Sequence, residues 1–154
     1  MNIQKYYTFE KSVLIRTSKI NLFEFHRDTN NLPKISPLFP KVKLISISEF
    51  PLQNDSVIII QLNFILFKIY WEIRITDFVF NEKIADIQIK GPFKFWKHYH
   101  IFTSVDEGTI ITDRIDFIPP FGIIGKVLLP LIKLQLFLMF KLRHHKTKSL
   151  FERN

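Results

Sequence analysis

The segment GPFKFWKHYHIFTSVDEGTIITDRIDF, from Gly91 to Phe117, decides the fold that we expect for this chain. At its centre, Val105-Asp106-Glu107-Gly108 has the composition of a tight turn, with a glycine available for a positive φ. The residues on either side follow the two-residue period of strands that bury one face. The segment is therefore predicted to form two long antiparallel strands.

The register of this hairpin has two solutions. If Ser104 opposes Thr109, His100 falls opposite Asp113, whereas a tighter turn slides the register by two residues and places His100 opposite Ile115. The same residues share one face in either case, because side chains alternate along a strand. That face carries Trp96, His98, His100, Phe102, Ile111, Asp113, Ile115 and Phe117. Two imidazoles and one carboxylate are thus expected among aromatic and aliphatic walls.

The remaining chain predicts further strands around two small helices. Tyr7 to Ile15 is rich in strand formers, Ser18 is a suitable N-cap for a helix over Lys19 to Arg27, and Leu32 to Ser36 forms one more helical turn. Further strands are predicted at residues 42–47, 57–67, 68–76 and 85–90. The expected order is one strand, two short helices, six antiparallel strands and a long helix.

Two of these strands alternate clearly between apolar and polar residues. Ile69, Trp71, Ile73 and Ile75 point to one face of the sheet. In the next strand Ala85, Ile87 and Ile89 oppose Asp86, Gln88 and Lys90. Such alternation indicates one buried and one wet face, and we place the apolar residues, Ile87 included, on the buried face.

The long helix is predicted from Ile123 to about Leu150. At 100° per residue its apolar side comprises Ile124, Leu128, Leu131, Gln135, Leu138 and Leu142, and its other side comprises Lys126, Pro130, Lys133, Phe137, Lys141, His144 and Lys148. Pro130 should bend this helix toward the sheet. The expected fold is α+β, with a curved seven-stranded antiparallel sheet and this helix over an internal cavity.

Composition limits the classes of protein that need to be considered. The 154 residues carry a formal charge of +8 and no cysteine, which predicts one domain over residues 1–154 without disulfides or thiolate metal sites. The N-terminus lacks the apolar stretch of a secretory signal, so we expect a cytoplasmic protein. Basic residues are dispersed except near the end, where residues 144–154 are interpreted as a frayed basic tail rather than a nucleic-acid site. Lysines at 126, 133 and 141 argue against a membrane-spanning helix.

Residues distributed over nearly the whole chain carry a resemblance to a known group. They are Phe23, Phe25, His26, Asn31, Leu32, Ile35, Ser36, Pro37, Trp71, Ile73, Asp86, Gln88, Gly91, Pro92, Phe93, Trp96, His98, His100, Phe102, Gly108, Thr109, Asp113, Pro120, Gly122 and Arg143. In these the chain resembles the START-like helix-grip proteins of the SRPBCC superfamily, especially small bacterial members related to polyketide cyclases and dehydrases. The resemblance implies a cavity between sheet and long helix, used in that superfamily by lipid and hormone carriers, aromatase/cyclases and stress-related regulators.

The expected ligand-binding residues combine this cavity with the face patterns. They are Trp71, Ile73, Ile87, Trp96, His98, His100, Phe102, Asp113, Ile115, Phe117, Leu128, Leu131, Gln135 and Leu138. The polar members His98, His100, Asp113 and Gln135 are expected to orient a small hydrophobic molecule such as a lipid, isoprenoid or polyketide. A simple buried hydrogen-bond set, with His100 on Asp113 and His98 on a partner such as Gln135, is the structural alternative.

Three functions stay open at this point. Binding of a hydrophobic ligand without a cofactor is favoured. The first alternative is a cyclase, aromatase or dehydratase with His98, His100 and Asp113 as acid/base candidates. The second is a protein-interaction module or a module on an anionic membrane surface, using the basic side of the last helix. We predict no metal, because the H-x-H pair and Asp113 provide three donors and no evident fourth. The sequence carries no signal for an oligomeric state.

Overall fold

The computed structural model describes residues 6–152, which form one sheet with helices on its inner side. The strands are β1 (Tyr7–Ile15), β2 (Lys41–Ile47), β3 (Val57–Asn63), β4 (Lys68–Val79), β5 (Lys83–Lys90), β6 (Phe95–Val105) and β7 (Gly108–Ile118). The helices are α1 (Lys19–Arg27), α2 (Leu32–Ile35), α3 (Ile123–Val127) and α4 (Leu129–Phe151), with a 3-10 turn at Thr29–Asn31. The strand order is β1-β7-β6-β5-β4-β3-β2 with antiparallel neighbours, so the predicted fold class is confirmed.

The β6–β7 hairpin adopts the first of the two predicted registers. Ser104 pairs with Thr109 and His100 pairs with Asp113. Gly108 at the turn has a φ of +146°, and a Cβ there would lie 2.3 Å from the carbonyl oxygen of Ile15. Only glycine fits this conformation and this approach of the β1 end, which explains why the turn forms at Gly108.

Strand β3 is shorter than its apolar run predicts. The run continues to Phe67, but the strand ends at Asn63, and a hydrogen bond from Phe64 N–H to the Phe67 carbonyl closes the turn. Ile65 and Leu66 at the tip are 88% and 92% exposed. The strand prediction, which rested on hydropathy, was therefore too long, because it included turn residues that are exposed to solvent.

Strand β5 has the opposite facing from the predicted one. Asp86 pairs with His98 and Ile84 pairs with His100, so Ile84 and Asp86 lie on the inner face and Ile87 lies on the outer face. The prediction for Ile87 was wrong because it assumed that the apolar members of the alternation are the buried ones. Asp86 is buried instead, beside an imidazole that offsets the cost of its burial.

The predicted single helix is two helices that meet at Leu128. Pro130 lies in the first turn of α4, where its missing N–H breaks no hydrogen bond, so the expected bend is replaced by this break. Gly125 fixes α3 against the chain before it, since a Cβ there would lie 2.0 Å from the Pro120 carbonyl oxygen. Within residues 6–152, no helix is both long enough and apolar enough to cross a bilayer.

The orientation of α4 also differs from the predicted one. Its buried residues are Leu136, Phe140, His144 and Thr147. The prediction counted the helical phase from Ile124 through the break, and it therefore placed His144 on the solvent side. The helix continues to Phe151, so residues 144–151 are not the frayed tail that the basic composition indicated, and residues 153–154 lie outside the described range.

Candidate functional site

A pocket of about 800 Å³ lies between the inner face of the sheet, α2 and α4. We call it the inner pocket. Its wall is mostly aliphatic and aromatic, with β4 contributing Ile69, Trp71, Ile73 and Ile75 as the alternation predicts. Eight of the expected ligand-binding residues line it. These are Trp71, Ile73, Trp96, His98, His100, Leu131, Gln135 and Leu138.

Six expected ligand-binding residues lie outside the wall of the inner pocket, for four reasons. Ile87 faces the other side of the sheet, and Leu128 lies at the break between α3 and α4. Phe102, Ile115 and Phe117 pack in the hydrophobic core; Phe102, for example, packs edge-on against Phe23, with 5.4 Å between the ring centroids. The sixth, Asp113, lies behind the histidines that face the pocket.

Asp113 is the centre of a buried polar cluster. His98 Nε2 donates to Asp113 Oδ1 at 2.8 Å, and His144 Nε2 donates to Asp113 Oδ2 at 2.6 Å. His100 Nδ1 lies 2.7 Å from Oδ1, but this nitrogen has no hydrogen-bond partner of suitable geometry within residues 6–152. Three imidazoles from β6 and α4 thus converge on one carboxylate from β7.

These imidazoles hold Asp113 in its ionised form. Burial alone would raise the pKa of Asp113, but attraction to His100, which lies 2.7 Å away, and hydrogen bonds from His144 and His98 place that pKa well below its usual value. For His98, burial lowers the pKa, but contacts with Asp113 and with Asp86, whose Oδ2 lies 3.5 Å from Nδ1, outweigh burial and raise it. His98 is therefore poised to carry a proton on both nitrogens.

His100 has the opposite protonation preference although it lies on the same strand face. Burial lowers the pKa of His100, and repulsion from protonated His98 lowers it further, against the attraction of Asp113. The two rings are only 4.1 Å apart, so a second positive charge there is disfavoured. The surroundings thus favour the protonated form of His98 and the neutral form of His100 next to it.

His26 of α1 joins this group from across the pocket wall. Its ring lies 5.3 Å from that of His100, and its Nδ1 donates to the Leu22 carbonyl at 2.9 Å, which leaves Nε2 unprotonated. Burial, with repulsion from His100, lowers the pKa of His26 to about 3. The sequence predicts that His26 lies on the helix from Lys19 to Arg27 but not that it approaches His100, because the packing of α1 against β6 cannot be predicted from local patterns.

Arg143 of α4 brings the positive charge of this region. Its guanidinium lies 5.3 Å from the ring of Phe140, which also contacts His98. Among residues 6–152 no carboxylate lies within 4.0 Å of Arg143 and no side-chain hydrogen bond engages it, although it lines the pocket. Burial lowers the pKa of Arg143. We call His26, Asp86, His98, His100 and Arg143, with Asp113 and His144 behind them, the polar corner.

Three members of the polar corner could hold a metal ion. One ligand atom each from Asp86, His98 and His100 lies within 4.8 Å of the others, a donor set that suits Zn²⁺ or Fe²⁺. Both nitrogens of His98 already face carboxylates, which accounts for this arrangement through ion pairing and hydrogen bonding alone. A metal-free site stays a prediction.

Comparison with known proteins places this geometry within one fold. No family model and no curated protein matches the chain. A START superfamily protein from Mycobacterium smegmatis superposes with a TM-score of 0.73 at 11% identity, covering 96% of this chain and 98% of that one. Ginseng major latex-like protein 151 from Panax ginseng gives 0.69 at 14% identity, covering 96% and 99%. The di-domain ARO/CYC of the steffimycin biosynthetic pathway gives 0.66 at 15% identity, covering 96% and 51%. At such identities the likeness establishes the helix-grip fold and no more.

Proposed function

We propose that the protein binds a small hydrophobic molecule in the inner pocket, with one polar end of that molecule at the polar corner. The observation that carries this proposal is the distribution of the pocket wall. Apolar residues, including those of β3, β4 and α4, form most of the wall of a space of about 800 Å³, and apart from Asp28 the charged groups are concentrated near His100 and Arg143. Ligand sites of this size combine an apolar wall with a few placed polar groups in the same way.

The wall supplies affinity and the polar corner supplies orientation. Burial of apolar ligand surface stabilises a complex by about 25 cal/mol per Å². The guanidinium of Arg143 offers several N–H donors that no described protein carboxylate engages, and a ligand carboxylate or carbonyl would accept them. A fatty-acid-like or polyketide-like molecule meets both requirements.

The direct test is native mass spectrometry of protein purified without detergent, followed by titration with palmitate. We expect either a copurified hydrophobic species or saturable binding of one palmitate. Leu138→Asp places a charge on the pocket wall and should weaken binding at least tenfold, whereas Phe137→Asp, one residue away and outside the wall, should not. Both native residues are exposed, so neither change threatens folding. No copurified species, together with no saturable binding of palmitate, hexadecanol or a polycyclic ketone, would refute the proposal.

A second candidate is acid/base catalysis on a molecule held in the same pocket. The observation that favours it is the opposed protonation of His98 and His100, because adjacent groups whose pKa values are driven apart form an acid/base pair. Neutral His100 would accept a proton from a carbon between two carbonyls. Protonated His98 would donate to the enolate oxygen from Nδ1, whose contact with Asp86 is long at 3.5 Å, while Nε2 stays on Asp113. This is the chemistry of a cyclase or dehydratase without a cofactor.

Deuterium exchange at the central carbon of an alkyl 1,3-diketone in D₂O, followed by NMR, tests this second candidate. The protein should accelerate exchange over buffer, and His100→Gln should remove about 10²-fold or more of that acceleration while ligand affinity changes little. Lys97→Gln on the outer face of the same strand is the control. Exchange at the buffer rate with the wild-type protein would leave only the binding function.

A further inference from the structure

One end of the sheet carries many large apolar side chains that are exposed to solvent. Because antiparallel strands reverse at each turn, the start of β2, the β3–β4 turn, the β5–β6 turn and the end of β7 lie at the same end. We call residues 37–43, 63–69, 91–96 and 118–128 the turn rim. Its most exposed large apolar side chains, between 73% and 92% accessible, are Leu38, Ile65, Leu66, Phe121, Ile123 and Val127.

The turn rim contributes residues to the wall of the inner pocket, and we take this end of the pocket as its mouth. Phe39, Phe64 and Ile69 belong to the rim on the β2–β4 side and also line the pocket. Pro92 and Pro120 do the same on the β5–α3 side. The stacked rings of Phe64 and Phe67, 4.7 Å apart, connect the pocket wall to the exposed turn. Apolar side chains therefore connect the lining of the pocket with the exposed apolar surface of the rim.

The charge of the turn rim has a single sign. It contains Lys41, Lys43, Lys68, Lys94 and Lys126 but no aspartate or glutamate. All five lysines are exposed, and none lies within 4.0 Å of a carboxylate of residues 6–152. The nearest acidic residue along β4 is Glu72, which pairs with Lys90 just outside the rim. The three turns at the opposite end of the sheet carry instead Glu49, Asp55, Glu82, Asp106 and Glu107, without lysine or arginine.

We propose that the turn rim docks on the surface of an anionic lipid bilayer, with the mouth of the inner pocket facing the lipid. Side chains such as Leu66 and Ile123 would enter the interfacial region while the surrounding lysines contact anionic headgroups. A second copy of the chain is a poor occupant, because two rims face to face would oppose ten lysines with no acid. Nucleic acid would leave the projecting aliphatic side chains without a partner. The surface differs from the basic side of α4 that the sequence indicated.

The docking surface does not depend on the function proposed for the pocket. If both hold, the ligand passes between bilayer and pocket without crossing water, since the apolar wall reaches the apolar rim. If the pocket binds nothing, the rim still predicts membrane association. Palmitate titration in solution and vesicle binding therefore report on the two proposals separately.

Vesicle flotation of the full chain tests the docking proposal. Vesicles of phosphatidylcholine with 30% phosphatidylglycerol should bind the protein in 0.1 M NaCl. Pure phosphatidylcholine vesicles, or 0.5 M NaCl, should reduce binding severalfold, because lysine contacts are screened by salt. Ile65→Asp/Leu66→Asp should reduce binding to the anionic vesicles at least tenfold. Ile20→Asp/Leu150→Asp makes the same charge change at two exposed residues outside the rim, and it should leave binding near the wild-type value.

Two charge-reversal variants test whether the position of the lysine matters. Lys68→Glu within the rim should weaken vesicle binding more than Lys19→Glu at the start of α1, although the net charge changes equally. Absence of binding to anionic vesicles would overturn the proposal, as would equal loss in the rim and control variants. Sedimentation velocity tests whether a second copy of the chain binds the rim instead. If the wild-type protein is a dimer, if Ile65→Asp/Leu66→Asp dissociates that dimer, and if no vesicle binding occurs, the rim is a self-association surface.

Discussion

Asp113 is the residue on which three imidazoles converge, and it is almost fully buried. Its replacement would leave protonated His98 with a weaker set of partners in a site shielded from water. We expect Asp113→Asn to lower the free energy of unfolding by roughly 3–5 kcal/mol, as for other broken buried ion pairs. Urea denaturation followed by circular dichroism measures this loss.

The matched control for this substitution is Asp106→Asn in the exposed β6–β7 turn, which should change stability by less than about 0.5 kcal/mol. Similar losses in the two variants would mean that the cluster around Asp113 contributes no more than a surface carboxylate does.

The pKa of His26 predicts how stability depends on acid. Because that pKa is lowered from 6.5 to about 3 in the folded state, the unfolded chain binds the proton first as the pH falls below 6.5. The neutral His26 therefore contributes stability that is present above pH 6.5 and is lost progressively toward pH 3. The pKa of His100 is lowered too and acts in the same direction.

His26→Asn keeps a donor near the Leu22 carbonyl and removes the titrating group. The slope of unfolding free energy against pH between pH 6 and 4 should fall by up to about 1.4 kcal/mol per pH unit, the value for one proton. Denaturant titrations at several pH values measure this slope. His145→Asn, at an exposed position on α4, is the control. An unchanged slope in His26→Asn would mean that His26 is protonated in the folded protein.

Arg143 should determine which end group a bound ligand prefers. With palmitate and methyl palmitate as probes, we expect the wild-type protein to favour the acid by about tenfold, the worth of one charge-assisted hydrogen bond. Arg143→Gln should abolish this preference, and Lys141→Gln on the exposed side of α4 should retain it. Calorimetric affinities for the two probes measure the ratio. A preference that survives in Arg143→Gln would show that another group binds the head.

Single residues also show where sequence reasoning reaches its limit. His98, His100 and Asp113 were predictable, because the period of a strand and a glycine turn fix which side chains share a face. Asp86 and His144 were assigned to the wrong sides, because each is buried by a charged partner rather than by its own hydropathy. The signal that could have identified both residues is the need of buried charged groups such as Asp113 and His98 for partners of opposite charge.

Among the elements, the break between α3 and α4 depends on the close approach of Gly125 to Pro120. A Cβ at residue 125 would lie 2.0 Å from a backbone oxygen, which no side-chain movement can relieve. We expect Gly125→Ala to destabilise the protein by roughly 1–3 kcal/mol despite the better helix propensity of alanine. Thermal unfolding measures the shift, with Lys126→Ala as the control at the adjacent exposed position. An unchanged or raised melting temperature would mean that α3 moves away from Pro120 at no cost.

Most elements have bounds close to the predicted ones: β2 begins one residue and β5 two residues earlier than predicted, whereas β4 continues three residues beyond its predicted end at Thr76. Strand β1 and helix α1 have the predicted bounds. Strand β3 ends before its apolar run does, since the β3–β4 turn is built from hydrophobic residues rather than from glycine or asparagine. That departure from ordinary turn composition carries the exposed Ile65 and Leu66 of the turn rim. The least predictable turn is thus the one to which the docking proposal assigns a role.

At the scale of the whole molecule, the antiparallel strand order brings lysines that are dispersed in the sequence to one end of the sheet and acidic residues to the other end. Lysines that are far apart in the chain meet at the pocket mouth, and the acidic turns meet at the other end. The sequence showed only that basic residues are dispersed, because their grouping exists only after the strands alternate in direction. The helix-grip architecture itself was predictable from the order of elements, whereas the side of α4 that packs against the sheet was not.

The two outermost strands of the sheet are protected in different ways. At the end of β1, side chains from the C-terminal segment bind main-chain groups: Glu152, directly after α4, accepts from Arg16 N–H, and Lys148 of α4 donates to the Leu14 carbonyl. Along β2, a bulge between Leu44 and Ser46 interrupts the regular ladder, and Lys41 and Lys43 add charge. Such devices prevent strand-by-strand growth into fibrils. The last turn of α4 thus protects the β1 edge of the sheet. A chain without this turn would expose β1 as a template for aggregation.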